Sequence, residues 1–332
     1  MGAPVFESAV PNLRSTFALM LLLCGVACRP AEKVEAPTSE PTQDFAIEGH
    51  HESGGGCVWV VDRPGKDGRL YLCGTIHILR EEDYPLAPGY EAAYANSDKL
   101  VLELPPGSGS GNELASRMRE LGLYSSDASL DSKISPDLWE KVKSWGATRG
   151  LSASSLNRYR PWFLSLIIAS MEYAALGAQP DMGVDQHFEE RALNDGKPGE
   201  GLETVEFQLQ MFAGLSGDMQ RNLLEQTLSE VTSMGEQYET MIEAWKTGDI
   251  TALHEMLFEE AERFPELMEL FLTDRNHRWI DALSAMLERG EKNMVLVGAG
   301  HLGSNQGLLA LLEDRGYRVR HYREPETSEP SK

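Results

Sequence analysis

Basic side chains are scarce in this chain: 30 Lys and Arg face 52 Asp and Glu, a formal net charge of −22 over 332 residues. So acidic a surface repels nucleic acid and anionic lipid headgroups, which argues against both as direct partners. Much of the excess lies between Glu225 and Glu269. It reads as a solvated face that keeps the protein soluble, or else as a surface for a basic partner. Cysteine is also scarce. Of four, only Cys57 and Cys73 lie beyond residue 28, and neither has the surroundings of a nucleophile. The glycine at the centre of Gly107-Ser108-Gly109-Ser110-Gly111 rules out a serine nucleophile elbow there. His254-Glu255 has no second histidine at helical spacing, so it is not a zincin motif. Acyl-enzyme chemistry and a zincin helix both lose their support.

A long apolar run is missing as well. Phe17 to Cys28 covers twelve residues after Arg14, too short to span a bilayer and suited to an export signal. Gly25-Val26-Ala27-Cys28 resembles a bacterial lipobox, although Gly25 replaces the usual leucine and the leader is long with one basic residue. Residues 1–28 are therefore expected to be a lipoprotein-type signal with lipid attachment at Cys28, simple cleavage near Ala27 being the alternative. Residues 29–52, rich in Pro, Glu, Thr and Ser, cannot bury enough apolar surface to fold and suit a tether. The folded unit is placed at 53–324, with a polar tail over 325–332. The expectation is an exported protein of the cell envelope, outer membrane or periplasm, or a secreted one, touching membrane only through its anchor.

Within 53–324 the β signals lie at the ends. A hairpin is expected over 57–62 and 69–74, around the turn signal Pro64-Gly65-Lys66-Asp67-Gly68, with a strand at 99–104 and a helix at 86–96 between. From about 111 to 290 apolar residues recur at three- and four-residue spacing, predicting helices over 113–121, 137–145, 162–176, 184–194, 219–246, 250–263 and 265–289. Strands return at 294–297 and 317–322, with a helix at 306–315. The fold class is α/β (α+β): one mixed sheet built from both terminal β-rich segments, bracketing a long helical insert. Cys57 and Cys73 flank the hairpin, and a cross-strand disulfide and two buried thiols stay equally open.

Two stretches read alike. Gly74-Thr75-Ile76-His77 follows Arg69-Leu70-Tyr71-Leu72-Cys73, and Gly298-Ala299-Gly300-His301 follows Met294-Val295-Leu296-Val297. A strand ending in Gly-x-x-His sets an imidazole at the carboxyl end of a sheet, where open α/β folds bind ligands. A lone strand-end histidine is most often structural, but two in a repeated setting point to metal or proton-transfer chemistry. Glu103 ends the strand after the first unit. It would complete a His-His-Glu set for a catalytic divalent ion, or else cap loop amides. Gly298-x-Gly300-x-x-Gly303 also matches a dinucleotide fingerprint. One further strand is too little for the rest of such a unit, and it carries Arg318 and Arg320 where an acidic ribose partner belongs.

In sum these segments resemble the TraB/GumN family, which includes the Tiki metalloproteases. The resemblance runs from about Val58 to His321. It rests on both Gly-x-x-His units, Val101-Leu102-Glu103-Leu104, Arg160-Pro161-Trp162, Gly183-Val184-Asp185, Gly201-Leu202-Glu203-Thr204 with Gln208 or Gln210, and Arg275-Asn276. It implies a fold like that of Tiki and erythromycin-esterase proteins and a metal-dependent peptidase acting on a peptide or protein. Manganese or cobalt is the favoured ion, with zinc as a further candidate. His77, Glu103 and His301 would then ligate the ion, with Glu103 as third ligand or as base. Arg275 would neutralise the oxyanion with Asn276 orienting it, or the pair would be a helix-start salt bridge and cap. Asp185 and Glu203 would orient the imidazoles. The rival reading is a non-catalytic protein that binds or sequesters a peptide, as in the family's pheromone-shutdown branch. A third is a metal-independent esterase with His77 as general base.

Overall fold

The computed structural model describes residues 55–108, 112–125, 127–258 and 265–323; the proposed leader, the tether, Cys28 and the tail after residue 323 lie outside them. Six strands form one mixed sheet in the order β4-β3-β5-β2-β1-β6. The strands are β1 (Val58–Asp62), β2 (Arg69–Thr75), β3 (Lys99–Leu102), β4 (Gly199–Gly201), β5 (Lys292–Gly298) and β6 (Arg318–His321). β2 and β5 are nearly continuous apolar runs because helices cover both faces of the sheet centre, and only their first residues meet water.

The hairpin forms as expected, β1 pairing antiparallel with β2 so that Val58 lies opposite Cys73 and Asp62 opposite Arg69. This register decides the cysteine question. Cys57 falls opposite Gly74, whose N–H donates to the Cys57 carbonyl at 2.7 Å. Side chains alternate along a strand, so Cys57 and Cys73 emerge on opposite faces of the sheet. Both are buried free thiols. On the outer side β6 pairs with β1, and Arg318 and Arg320 both donate to Asp62, at 2.8 and 2.6 Å. These arginines neutralise a buried carboxylate.

The placement of β5 matters most. It enters between β2 and β3, parallel to both, with Thr75 level with Gly298 and Leu102 level with Leu296. Two strands 223 residues apart, Arg69 pairing with Lys292, thereby finish side by side. Their histidines and Glu103 leave three adjacent parallel strands at the same edge.

The helical insert departs from the expected pattern in several places, including two helices that were not expected, Ala153–Leu156 and Val205–Ala213. β4 lies inside it, pairing Gly199 to Gly201 with Leu100 to Leu102. Gly-Glu-Gly has no apolar alternation to betray a strand; it pairs through its backbone alone. The helix expected over 219–246 is two, Gly217–Glu230 and Met234–Thr247. The one expected over 265–289 starts at Pro265–Met268 and widens into a π-turn over Glu269–Thr273, where the Asp274 N–H donates to the Glu269 carbonyl. It then continues as Asp274–Glu288. Helix Pro161–Ala175, apolar on nearly every side, joins the two cores. Trp162, Phe163 and Tyr173 pack into the main one beneath the sheet, while Leu164 and Ile168 join a smaller one with Leu138, Val142, Trp145 and Leu224. Among the described residues no helix is long and apolar enough to cross a membrane.

Candidate active site

Each expected site residue within the described residues is brought to the carboxyl edge of β2, β5 and β3. Beyond Thr75 the chain leaves the sheet, and His77 is buried against the start of helix Val184–Asp195. There Gly183 passes so close that a Cβ on it would sit 2.3 Å from the His77 carbonyl oxygen, which only glycine permits. That approach lets Asp185, in the first helical turn, meet the imidazole: Asp185 Oδ1 and His77 Nδ1 are 2.8 Å apart. Only Nδ1–H can satisfy a carboxylate, so a neutral His77 carries its lone pair on Nε2.

His301 is fixed in the same way by a different partner. Its Nδ1 lies 2.7 Å from Asn276 Oδ1, and the Asn276 amide also donates to the Gln306 carbonyl at 2.8 Å. Its Nε2 faces Arg275 Nη1 at 3.0 Å. Guanidinium nitrogen only donates, so Nε2 accepts and Nδ1 bears the proton. Burial, followed by the nearby charges of Arg275 and His77, pushes His301 well below its ordinary value. It is a neutral imidazole. Asn276 was expected to orient Arg275; it orients His301 instead, because consecutive helical residues point about 100° apart and cannot share a target.

Arg275 is fully buried at the centre. Its Nη2 donates to Glu103 Oε2 at 2.5 Å and Glu203 Oε2 at 2.8 Å, its Nε to Glu203 Oε1 at 2.9 Å, and its Nη1 to the Phe271 carbonyl at 3.2 Å. Phe271 lies in the π-turn, one of the distortions often found at functional sites. Burial alone would lower the guanidinium's pKa, but Glu103 and Glu203 outweigh it and raise it. Glu203 was expected to orient an imidazole. It grips Arg275 and accepts from Trp279 Nε1 at 3.0 Å. The reason is geometric: the Glu203 N–H is tied to the Glu103 carbonyl at 2.8 Å, which sets the residue beside Glu103. Glu103 is fully engaged, Oε1 accepting the Gly298 N–H at 2.7 Å and Oε2 receiving Gln208 Nε2 at 3.2 Å as well as Arg275. The capping alternative for Glu103 thus holds in part, since it does cap the Gly298 amide. Two buried carboxylates face one guanidinium, so the cluster is net negative.

Three contributors were not singled out from sequence. Trp279 packs its ring 4.4 Å from that of His301 and 4.6 Å from the Arg275 guanidinium. It stands four residues after Arg275, the helical spacing that makes neighbours, and this was the available signal. The Gly298 amide is a backbone group with no sequence mark. Gln208, left open against Gln210, is the one in the site; Gln210 bonds the exposed Glu206. The Gln208 carbonyl oxygen is buried without a partner.

The donor chemistry suits a divalent ion: two imidazoles oriented through Nδ1, and a carboxylate oxygen 3.9 Å from His301 Nε2. Two atoms sharing one ion at bonds of about 2.1 Å stand roughly 3–3.5 Å apart, so that pair is slightly too wide. Among the described residues no three His, Cys, Asp or Glu side chains form a ready cage. Arg275 lies between them.

Two relatives place this geometry. The chain is 24% identical to a protein named metalloprotease TIKI2 of Danio rerio over 318 residues, 80% of this chain and 60% of that protein. It therefore spans well under two thirds of that relative's length. It is 23% identical to the uncharacterized protein YbaP of Escherichia coli K12, covering 76% of this chain and 90% of YbaP. No solved structure matches the chain. The model of the TraB/PrgY/gumN family matches residues 57–321, which takes in every strand and every site residue named above. The chain belongs to the TraB/PrgY/gumN family.

Proposed function

We propose that this protein is a metal-dependent hydrolase acting on a peptide, with His77, His301 and Glu103 holding a divalent ion, manganese or cobalt ahead of zinc. One observation carries the reading. Two strand-end histidines stand at the same sheet edge, each with Nδ1 set against a buried or half-buried oxygen and its lone pair therefore on Nε2, which in His301 accepts from Arg275. Proteins build imidazoles that way to bind metal. The TIKI2 relative, named a metalloprotease, supports the same direction.

Such an ion supplies polarisation of a carbonyl and water activated near neutral pH. The protein's own groups do the rest. Asp185 and Asn276 fix the imidazoles. Glu103, clamped by the Gly298 amide, brings negative charge, and Arg275, whose guanidinium is bonded to the cluster, is the group to offset a developing oxyanion. We also propose export, with attachment through Cys28.

A second reading has an observation of its own. The Arg275 bridge between Glu103 and His301 resembles a closed structural centre, as a non-catalytic peptide-binding protein would keep. Metal analysis after dialysis against manganese, cobalt and zinc, on wild type, His77→Ala and His301→Ala, separates the two. Near-stoichiometric ion in the wild type, lost in both folded variants, supports the hydrolase. Absence of ion under every supply, in the wild type and in Arg275→Met alike, refutes it and leaves the binding protein.

A further inference from the structure

We propose that Arg275 is a latch: its guanidinium holds the place of the divalent ion between His301 and Glu103, and the ion binds only as Arg275 swings back onto Glu203 alone. The inference rests on the metal-centre reading above and adds a regulatory step to it.

Three observations carry it. First, besides the bond from Nη1 to the Phe271 carbonyl at 3.2 Å, Arg275 makes two kinds of contact within the cluster. Nη2 to Glu103 Oε2 at 2.5 Å and Nη1 to His301 Nε2 at 3.0 Å engage two of the proposed ligands. Nε and Nη2 to Glu203, at 2.9, 3.1 and 2.8 Å, engage a carboxylate outside the ligand set. Breaking the first kind leaves the second intact, so the guanidinium keeps a charged partner throughout and never becomes an isolated buried cation. Secondly, Glu203 is itself anchored by Trp279 Nε1 and Gln208 Nε2, and the Trp279 ring lies 4.6 Å from the guanidinium. The receiving position is thus built in advance. Thirdly, the charges demand a choice. Glu103 and Glu203 against Arg275 leave one excess negative charge, which attracts a second cation into the cluster. A guanidinium hydrogen-bonded to both Glu103 and His301 Nε2 cannot share those lone pairs with that cation.

The same arrangement explains why the cage is not ready-made. His301 Nε2 and Glu103 Oε1 stand 3.9 Å apart because a guanidinium, wider than a metal ion, bridges this imidazole and this carboxylate. Withdrawing Nη1 from His301 and Nη2 from Glu103, while Nη2 stays on Glu203, uncovers His301 Nε2 and leaves Glu103 Oε2 with the Gln208 amide alone.

The test is manganese binding to the full chain by equilibrium dialysis, with the ion-induced rise in melting temperature as a second readout that needs no substrate. Wild type is compared with Arg275→Met, with Arg275→Met/Glu203→Gln, and with each after His301→Ala. The double variant removes one buried charge of each sign and so is expected to fold even where Arg275→Met alone does not. Affinity about tenfold or more above wild type in the variants, as expected when a competing positive charge is removed from the site, and lost again with His301→Ala, supports the latch. Equal or weaker binding than wild type, with the ion still lost on His301→Ala, overturns the latch and leaves the metal centre standing. No ion bound by any form overturns both.

Discussion

Glu203 and Glu206 lie three residues apart, each clasped by an arginine at hydrogen-bond distance, and removing them is expected to have very different effects. Glu206 meets Arg117 at 2.7 Å with 53% of its side chain exposed. Glu203 meets Arg275 at 2.8 Å with 4% exposed. An exposed pair gains little, because water and salt screen it and two long side chains must be held still. Glu206→Leu should leave the melting temperature where it was. Glu203→Leu strands several buried groups at once. Arg275 loses three of its hydrogen bonds, Trp279 Nε1 loses its acceptor, and Gln208 loses one of two. Breaking one side of a buried ion pair costs about 3–5 kcal/mol. Arg275 keeps Glu103, which lowers that cost, while the orphaned indole N–H adds about 1–3 kcal/mol. A net loss of about 4 kcal/mol is expected, or roughly 8–16 °C in melting temperature for a domain of this size. Adding Arg275→Met to Glu203→Leu should recover part of the loss, since matched apolar groups replace a buried pair at little cost. Circular-dichroism melts of the four proteins decide it. If Glu203→Leu shifts the midpoint no further than Glu206→Leu, burial is not what sets the strength of this pair.

Other outcomes follow from the same geometry. Asp185→Ala removes the partner of His77 Nδ1 and should weaken ion retention about 10–100-fold in a chelator-competition assay, with folding preserved. Asp83 is pushed down to about 2, because bonds from Arg80, Lys246 and Tyr238 overcome the larger opposing effect of burial. The folded protein then binds that proton less readily than the unfolded chain, whose pKa is about 3.9. The stabilisation, about 2 kcal/mol, is complete above pH 4 and fades as pH falls toward 2; urea melts across that interval should be flatter for Asp83→Asn than for wild type. Non-reducing peptide mapping of protein kept in an oxidising buffer should find Cys57 and Cys73 unlinked, and a Cys57–Cys73 cross-link would contradict the hairpin register.

Much of this was legible in the sequence. Both Gly-x-x-His units, the hairpin, Glu103 at its strand end and the helical insert follow from alternation, helical spacing and turn chemistry. Other features were hidden for physical reasons. Backbone pairing alone makes β4, so Gly199-Glu200-Gly201 shows no pattern. The break after Glu230 and the π-turn before Arg275 lie within apolar spacing that a regular helix would also satisfy. Asn276 and Glu203 do stand beside His301 and Arg275, but which partner each holds depends on helix azimuth and on the short tie between the Glu103 and Glu203 backbones. No spacing rule carries that information. The Cys57 question turned on a single step of register, which a turn signal does not fix.

The position of β5 has a consequence for how the protein comes into being. A strand that starts at Lys292 fills the gap between β2 and β3, so those two cannot be bridged until nearly all of the chain is available. Pairings across such sequence distances form slowly, because the connecting chain must be ordered before they repay it. Until then β2 and β3 present bare apolar edges that invite pairing with other chains. His301 arrives with the same strand, so an unfinished molecule has half of its imidazole pair and no Gly298 amide for Glu103. Completion of the sheet and assembly of the chemistry are one event, and a product cut short before Lys292 is expected to be inert and prone to aggregate.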